Sequence, residues 1–100
     1  MSENKKDSLY IIQSADKGMI KIGRSIDPDV RLKQLQTGNP SKLKLIHVFE
    51  EIGHKEKLYH ELLKEFRIKG EWFSYDCVGS LPEDLYEKIP WGSLDDWWSD

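Results

Sequence analysis

Two short apolar runs open the pattern of the chain. Leu9–Gln13 (LYIIQ) and Met19–Gly23 (MIKIG) are rich in residues that favour strands, and the polar cluster SADKG lies between them. Apolar runs joined by a short glycine-containing loop predict an antiparallel hairpin. The next segment, DPDVRLKQLQTGNP (27–40), carries helix punctuation. Asp27 can accept first-turn amide hydrogens, and Pro28 at the first helical position gives up a donor that had no partner. Asp29 suits the positive end of the helix dipole. Gly38 is expected to close the helix in a left-handed conformation, with Pro40 blocking continuation. Val30, Leu32 and Leu35 are expected to turn inward, with Arg31 and Gln34 sharing another face.

Residues 42–50 (KLKLIHVFE) predict a strand with Leu43, Leu45, His47 and Phe49 on one side and Ile46 and Val48 on the other. Residues 53–66 (GHKEKLYHELLKEF) predict a helix. Leu58, Tyr59, Leu62, Leu63 and Phe66 would form its buried stripe, while Glu56, His60 and Lys64 recur every four residues along one line. GEWFSYD (70–76) reads as a short extended piece, and PEDLYEKI adds a turn of helix before Pro90. Hairpin, helix, strand, helix and extended piece together predict a small α+β domain with helices packed on a three- or four-stranded sheet. The expected organisation is a flexible N terminus (1–7), a folded domain (8–76) and an acidic, Trp-rich C-terminal extension (77–100).

Charge changes this picture only at the end of the chain. Residues 1–75 carry 14 Lys/Arg against 11 Asp/Glu, whereas 76–100 carry one Lys against seven Asp/Glu. A mildly basic body with an acidic end is compatible with nucleic-acid contact but does not require it. The single Cys77 excludes an internal disulfide framework and points to a reducing compartment. No apolar run reaches the roughly 18–20 residues of a membrane span, so an intracellular protein without membrane contact is expected. In the tail, Trp91, Trp97 and Trp98 either cover the domain or form a partner-binding or self-association patch. Asp95, Asp96 and Asp100 can instead compete with nucleic acid for the basic face.

The chain has no metal-ligand cysteine pattern, Walker-type glycine loop or nucleophile elbow. What remains is a dispersed set: Tyr10, Lys21, Arg24, Arg31, Glu56, His60 and Glu71. Their types suit phosphodiester hydrolysis. A carboxylate can hold a divalent cation, cationic side chains stabilise developing phosphoryl charge, and a hydroxyl or imidazole can move a water proton.

The order LYIIQ…MIKIGRSIDPDVRLKQL…HKEKLYHELLKEF…GEWF resembles the GIY-YIG nuclease superfamily over roughly residues 8–75. It is most similar to the small phage and viral branch in which KIG replaces YIG and GEWF follows. Ser8 stands where the leading glycine usually does, and Lys21 where the second tyrosine does. The resemblance implies Tyr10 as a water-guiding residue, Arg31 and Lys21 on the phosphate, Glu56 as the ligand of Mg²⁺ or Mn²⁺, and His60 assisting one turn later. Gly23 would let the strand end lie close to a phosphate. Arg24, Lys21 and Lys33 would contact the nucleic-acid backbone.

Each residue also has a plainer reading. Tyr10 can be amphipathic packing, Lys21 a solvated lysine, Arg31 a partner of Asp27, Glu56 a surface ion-pair residue and His60 an exposed histidine. His47 and His54 carry no special expectation. Trp72 and Phe73 are expected in the core, with Glu71 binding a nearby Arg or Lys, or, as the lesser alternative, serving as a second metal ligand. Two functions follow as expectations: a metal-dependent endonuclease acting on DNA inside a (viral or phage) host cell, or a catalytically weak nucleic-acid-binding or regulatory module whose tail binds a protein partner.

Overall fold

In the computed structural model, residues 7–14, 18–39 and 41–89 are described. Strands β1 (Ser8–Ser14) and β2 (Met19–Ser25) form the expected hairpin, with Tyr10 opposite Gly23 and Ile11 opposite Ile22. Helix α1 (Pro28–Thr37) follows, then β3 (Leu43–Phe49), α2 (Glu56–Leu62), β4 (Arg67–Lys69), β5 (Trp72–Ser74) and α3 (Glu83–Tyr86). The sheet has five strands in the order β3-β1-β2-β5-β4, and every pairing is antiparallel. The result is a small α+β domain with helices packed on the sheet. Its fifth strand, β4, exists because Gly70 adopts a left-handed φ of 57° and folds Arg67–Lys69 back onto β5. Among the described residues no helix is long and apolar enough to cross a membrane.

Strand alternation sends side chains to two faces. On one, Leu9, Ile11, Ile20, Ile22 and Phe73 pack with Tyr59 and Leu63 of the α2 segment. On the other, Tyr10, Ile12 and Leu43 pack with Leu32 and Leu35 of α1 and with Trp72. Asp27 caps α1 by accepting from the Val30 amide at 3.3 Å, with Pro28 at the first position.

Four local expectations are corrected. Gly38 is not left-handed (φ −96°). Instead, the Gln36 side chain donates to the Ser41 carbonyl at 2.8 Å and accepts from the Leu43 amide at 2.8 Å, tying α1 directly to β3. Val30 is exposed rather than inward. In β3, the register shifts between Ile11, opposite His47, and Ile12, opposite Leu45. The extra residue, Ile46, reverses the alternation. Ile46 and Phe49 therefore enter the α2-side core, while Leu45 and Val48 pack on the α1 side with Leu43.

The helix of residues 53–66 is also divided, with α2 flanked by 3₁₀ turns at Gly53–Lys55 and Lys64–Phe66. Leu58 and Leu62 are exposed at 60% and 52%, whereas Tyr59 and Leu63 are buried and Phe66 is half-buried. The helix is thus rolled so that Glu56 and His60 face the sheet in place of the two leucines.

Packing continues beyond residue 76. Cys77, Leu85 and Ile89 share the core with Ile11 and Phe73. At the other end, Asp7 pairs with Arg24, and its carbonyl accepts from the Gly53 amide at 2.8 Å. The tail residues Trp91, Asp95, Asp96, Trp97, Trp98 and Asp100, the partner surface expected of them, Pro40, and residues 1–6 lie outside the described residues.

Candidate active site

The centre of the site is the place where the β2–β5 ladder stops. β5 pairs with β2 only across Met19–Lys21. One further contact, from the Ile22 amide to the Glu71 carbonyl at 3.2 Å, holds Glu71 beside β2 directly after the turn at Gly70. The Glu71 side chain therefore meets residues from both faces of the sheet.

From the α1 side comes Lys21. It is only 6% exposed and not the solvated lysine that alternation with Ile20 and Ile22 suggests. Its Nζ lies 2.8 Å from Glu71 Oε1 and 5.6 Å from the centre of the Trp72 ring. A buried ammonium needs such a counter-charge, since desolvation alone would favour the neutral amine. Phe73 is fully buried and Trp72 half-buried.

From the α2 side comes Glu56, 8% exposed, whose Oε2 is buried without a hydrogen-bond partner. Burial, followed by the neighbouring Glu71 charge, pushes its carboxyl above the ordinary range. Glu71 moves the other way. Burial pushes it up, but the hydrogen bond and positive charge of Lys21 outweigh that and hold it below the usual value. The two carboxyls thus divide the protonation states between them, with Glu71 ionised more readily than Glu56.

His60, one turn after Glu56, places Nε2 2.7 Å from the Ile22 carbonyl and 3.9 Å from Glu56 Oε2. A carbonyl can only accept, so Nε2 carries the proton and Nδ1 remains as the ring's other position. The imidazole also rests on Phe73, with ring centres 5.2 Å apart.

Tyr10 is 1% exposed. Its hydroxyl fills the space over Gly23: a β-carbon there would lie 2.5 Å from that oxygen and 3.1 Å from Glu71 Oε1. Gly23 therefore accommodates the Tyr10 phenol. Burial raises the Tyr10 pKa, partly offset by the hydrogen bond and charge that the Arg31 guanidinium brings to its oxygen, so the phenol stays protonated at neutral pH. Arg31 is exposed and donates to Gln34 Oε1 at 3.2 Å, while Asp27 accepts from the Val30 amide as the cap of α1.

Other residues fall elsewhere. Arg24 is engaged by Asp7. Lys33 is exposed on α1, outside the cleft described below. His47 packs edge-on against Phe49, and burial lowers its pKa. Glu71 is the residue at which the Lys21 side and the Glu56 side of the site meet. Its only local signal is an acid placed between a turn glycine and Trp72.

Glu56, His60 and Glu71 line one end of an open cleft of about 650 Å³ between α2 and the β4–β5 turn. Residues 7–91 match the T5orf172 domain. The chain belongs to the T5orf172 domain family. No curated protein and no solved structure matches it. The T5orf172 match takes in Asp7 and continues through α3 to the end of the described core, the same stretch that packs together here.

The donor set of this T5orf172 domain fits a small hard cation. Mg²⁺ favours one or two carboxylates and keeps several waters. Glu56 offers a buried oxygen with no other partner, next to the second carboxylate of Glu71. Among the described residues no group of three or more His, Cys, Asp or Glu could hold a metal. Any ion here would therefore complete its shell with water or substrate.

Proposed function

We propose that this T5orf172-domain protein is a small endonuclease of GIY-YIG type that hydrolyses DNA phosphodiesters with Mg²⁺ or Mn²⁺. The family, a phage-associated domain of the GIY-YIG/HNH-like endonuclease group, supports a nuclease-like or DNA-binding role. The observation that carries the finer reading is the buried Glu56 Oε2, which has no hydrogen-bond partner and belongs to a carboxyl neighbouring Glu71 in the cleft lining.

In this reading Glu56 and Glu71 hold the cation, which when bound polarises a phosphoryl oxygen. Lys21 keeps Glu71 ionised, so its task is electrostatic support of a ligand in place of direct phosphate contact. Arg31, whose guanidinium is near Tyr10 and exposed, suits bidentate contact with phosphate oxygens. Tyr10 donates a hydrogen bond and orients water. His60, locked by the Ile22 carbonyl, offers Nδ1 to receive the water's proton.

The burial of Tyr10 and Lys21 favours a second reading, a nucleic-acid-binding module without turnover. Incubating supercoiled plasmid with Mg²⁺ or Mn²⁺ separates the two. The endonuclease reading expects nicking by the wild type and none by Glu56→Ala. Nicking that survives the substitution overturns the metal assignment, and no nicking with either metal leaves the binding module.

A further inference from the structure

Away from its carboxylate end, the cleft changes character. Lys57, Glu61 and Lys64 line it along the α2 segment, joined by Arg67 at the start of β4. Positions 57, 61 and 64 are spaced four and three apart, so they fall in one row on the helical surface. Glu56 and His60 form the neighbouring row, turned to the sheet. The cleft thus has an acidic inner end and a mostly cationic outer wall.

Of the three cations that the resemblance assigned to nucleic acid, two are already engaged, Lys21 by Glu71 and Arg24 by Asp7, and Lys33 lies on α1 outside the cleft. Lys57 and Arg67 make no ion pair among the described residues, and both are exposed. Lys64 is held by Glu61 at 2.8 Å, with both side chains more than 60% exposed, so water and salt weaken that pair. Lys57 and Lys64 lie roughly 11 Å apart along the segment, at about 1.5 Å per residue through α2 and about 2.0 Å per residue where it tightens into the 3₁₀ turn. That spacing covers about three nucleotides of one strand at roughly 3.4 Å each.

We propose that Lys57, Lys64 and Arg67 form a track for the sugar-phosphate backbone of DNA, leading a strand along α2 to the Glu56–Glu71 end of the cleft. The direction of travel rests on the endonuclease reading; the contacts themselves do not. Glu61, lying between the cations, acts as a built-in competitor for them. An anionic backbone with regularly spaced charges displaces such a surface carboxylate more readily than an isolated anion does, because each neutralised phosphate also releases condensed counterions.

The test is binding of a short fluorescent DNA duplex by the full chain in EDTA, over a salt series. Lys57→Ala/Arg67→Ala should flatten the dependence of log K on log salt by about 2, since each lost phosphate contact removes roughly 0.9. The charge-matched Lys42→Ala/Lys88→Ala, at exposed positions outside the cleft, should leave the slope unchanged. Glu61→Gln should tighten binding several-fold, a gain that misfolding cannot produce. Equal slopes for the two double variants, an unchanged or weaker Glu61→Gln, or a wild type that does not bind DNA would each overturn the track. A wild type that never nicks plasmid but shows the expected slopes removes the endonuclease and keeps the track. Intact nicking with equal slopes does the reverse.

Discussion

The Tyr10 hydroxyl occupies the room that a side chain on residue 23 would need. The two residues face each other across the β1–β2 ladder, and a β-carbon on Gly23 would sit 2.5 Å from the hydroxyl oxygen and 2.6 Å from the ring carbon bearing it. Gly23→Ala should therefore destabilise the domain by about 1–3 kcal/mol, the usual cost of overpacking. Adding Tyr10→Phe should recover only part of this, because the ring carbon remains. Urea denaturation of the single and double variants measures both effects. A neutral Gly23→Ala would show that Tyr10 has somewhere else to go.

Removing Lys21 should be felt mainly through Glu71. In Lys21→Met the carboxylate loses its 2.8 Å partner while Glu56 stays nearby. Breaking a fully buried pair costs about 3–5 kcal/mol. Glu71 is 39% exposed at its side chain, so water recovers part of this and about 1–3 kcal/mol is expected. NMR titration of the Glu71 carboxyl provides the more direct reading: its pKa should rise above the wild-type value. An unchanged value would mean that Lys21 is not what holds Glu71 ionised.

Glu56→Gln should stabilise the metal-free protein at neutral pH by about 1–3 kcal/mol, the range for an unsatisfied buried polar group. The amide carries no charge and can donate to Glu71. The same change should abolish metal-dependent nicking, which would place stability and activity in opposition at this residue.

The pH dependence follows from the opposite shifts of the two carboxyls. Glu56 has a raised folded pKa, so its contribution is fully present below its ordinary value of 4.5 and is lost as pH rises through the folded value. Glu71 has a depressed folded pKa, so its contribution is present above 4.5 and is lost as pH falls through the folded value. Glu56→Gln removes the first effect, while Lys21, the larger of the influences holding Glu71 ionised, stays in place. The stability advantage of the variant over wild type, followed in EDTA by denaturation, should grow as pH rises above 4.5 and then level off. A constant difference from pH 4 to 8 would contradict the burial of an ionisable Glu56.

The roll of α2 predicts unlike outcomes at adjacent leucines. Leu63→Ala, at a fully buried position, should cost about 2–5 kcal/mol. Leu62→Ala, half-exposed, should stay within about 0.5 kcal/mol. Thermal or urea melts of the pair suffice, and equal losses would restore Leu62 to the core.

By itself the sequence determined the elements that local chemistry controls. The β1–β2 hairpin follows from two strand-forming runs around a glycine-containing loop. The start of α1 follows from the Asp27–Pro28 pair, and the α+β class follows from the order of elements. Only the tertiary structure decided which residues meet. A single extra residue at Ile46 reverses the faces of β3, and this cannot be read from alternation because a bulge depends on the pairing partner. The stripe on α2 held enough leucines to bury either of two faces. Packing selected the face carrying Glu56 and His60, leaving Leu58 and Leu62 in solvent. Lys21 looked solvated because its neighbours alternate with it. Its counter-ion, Glu71, lies fifty residues later, and a charge pair across that distance has no local signature. The turn at Gly70 brings the two together, and with them the carboxylate pair on which the candidate chemistry depends.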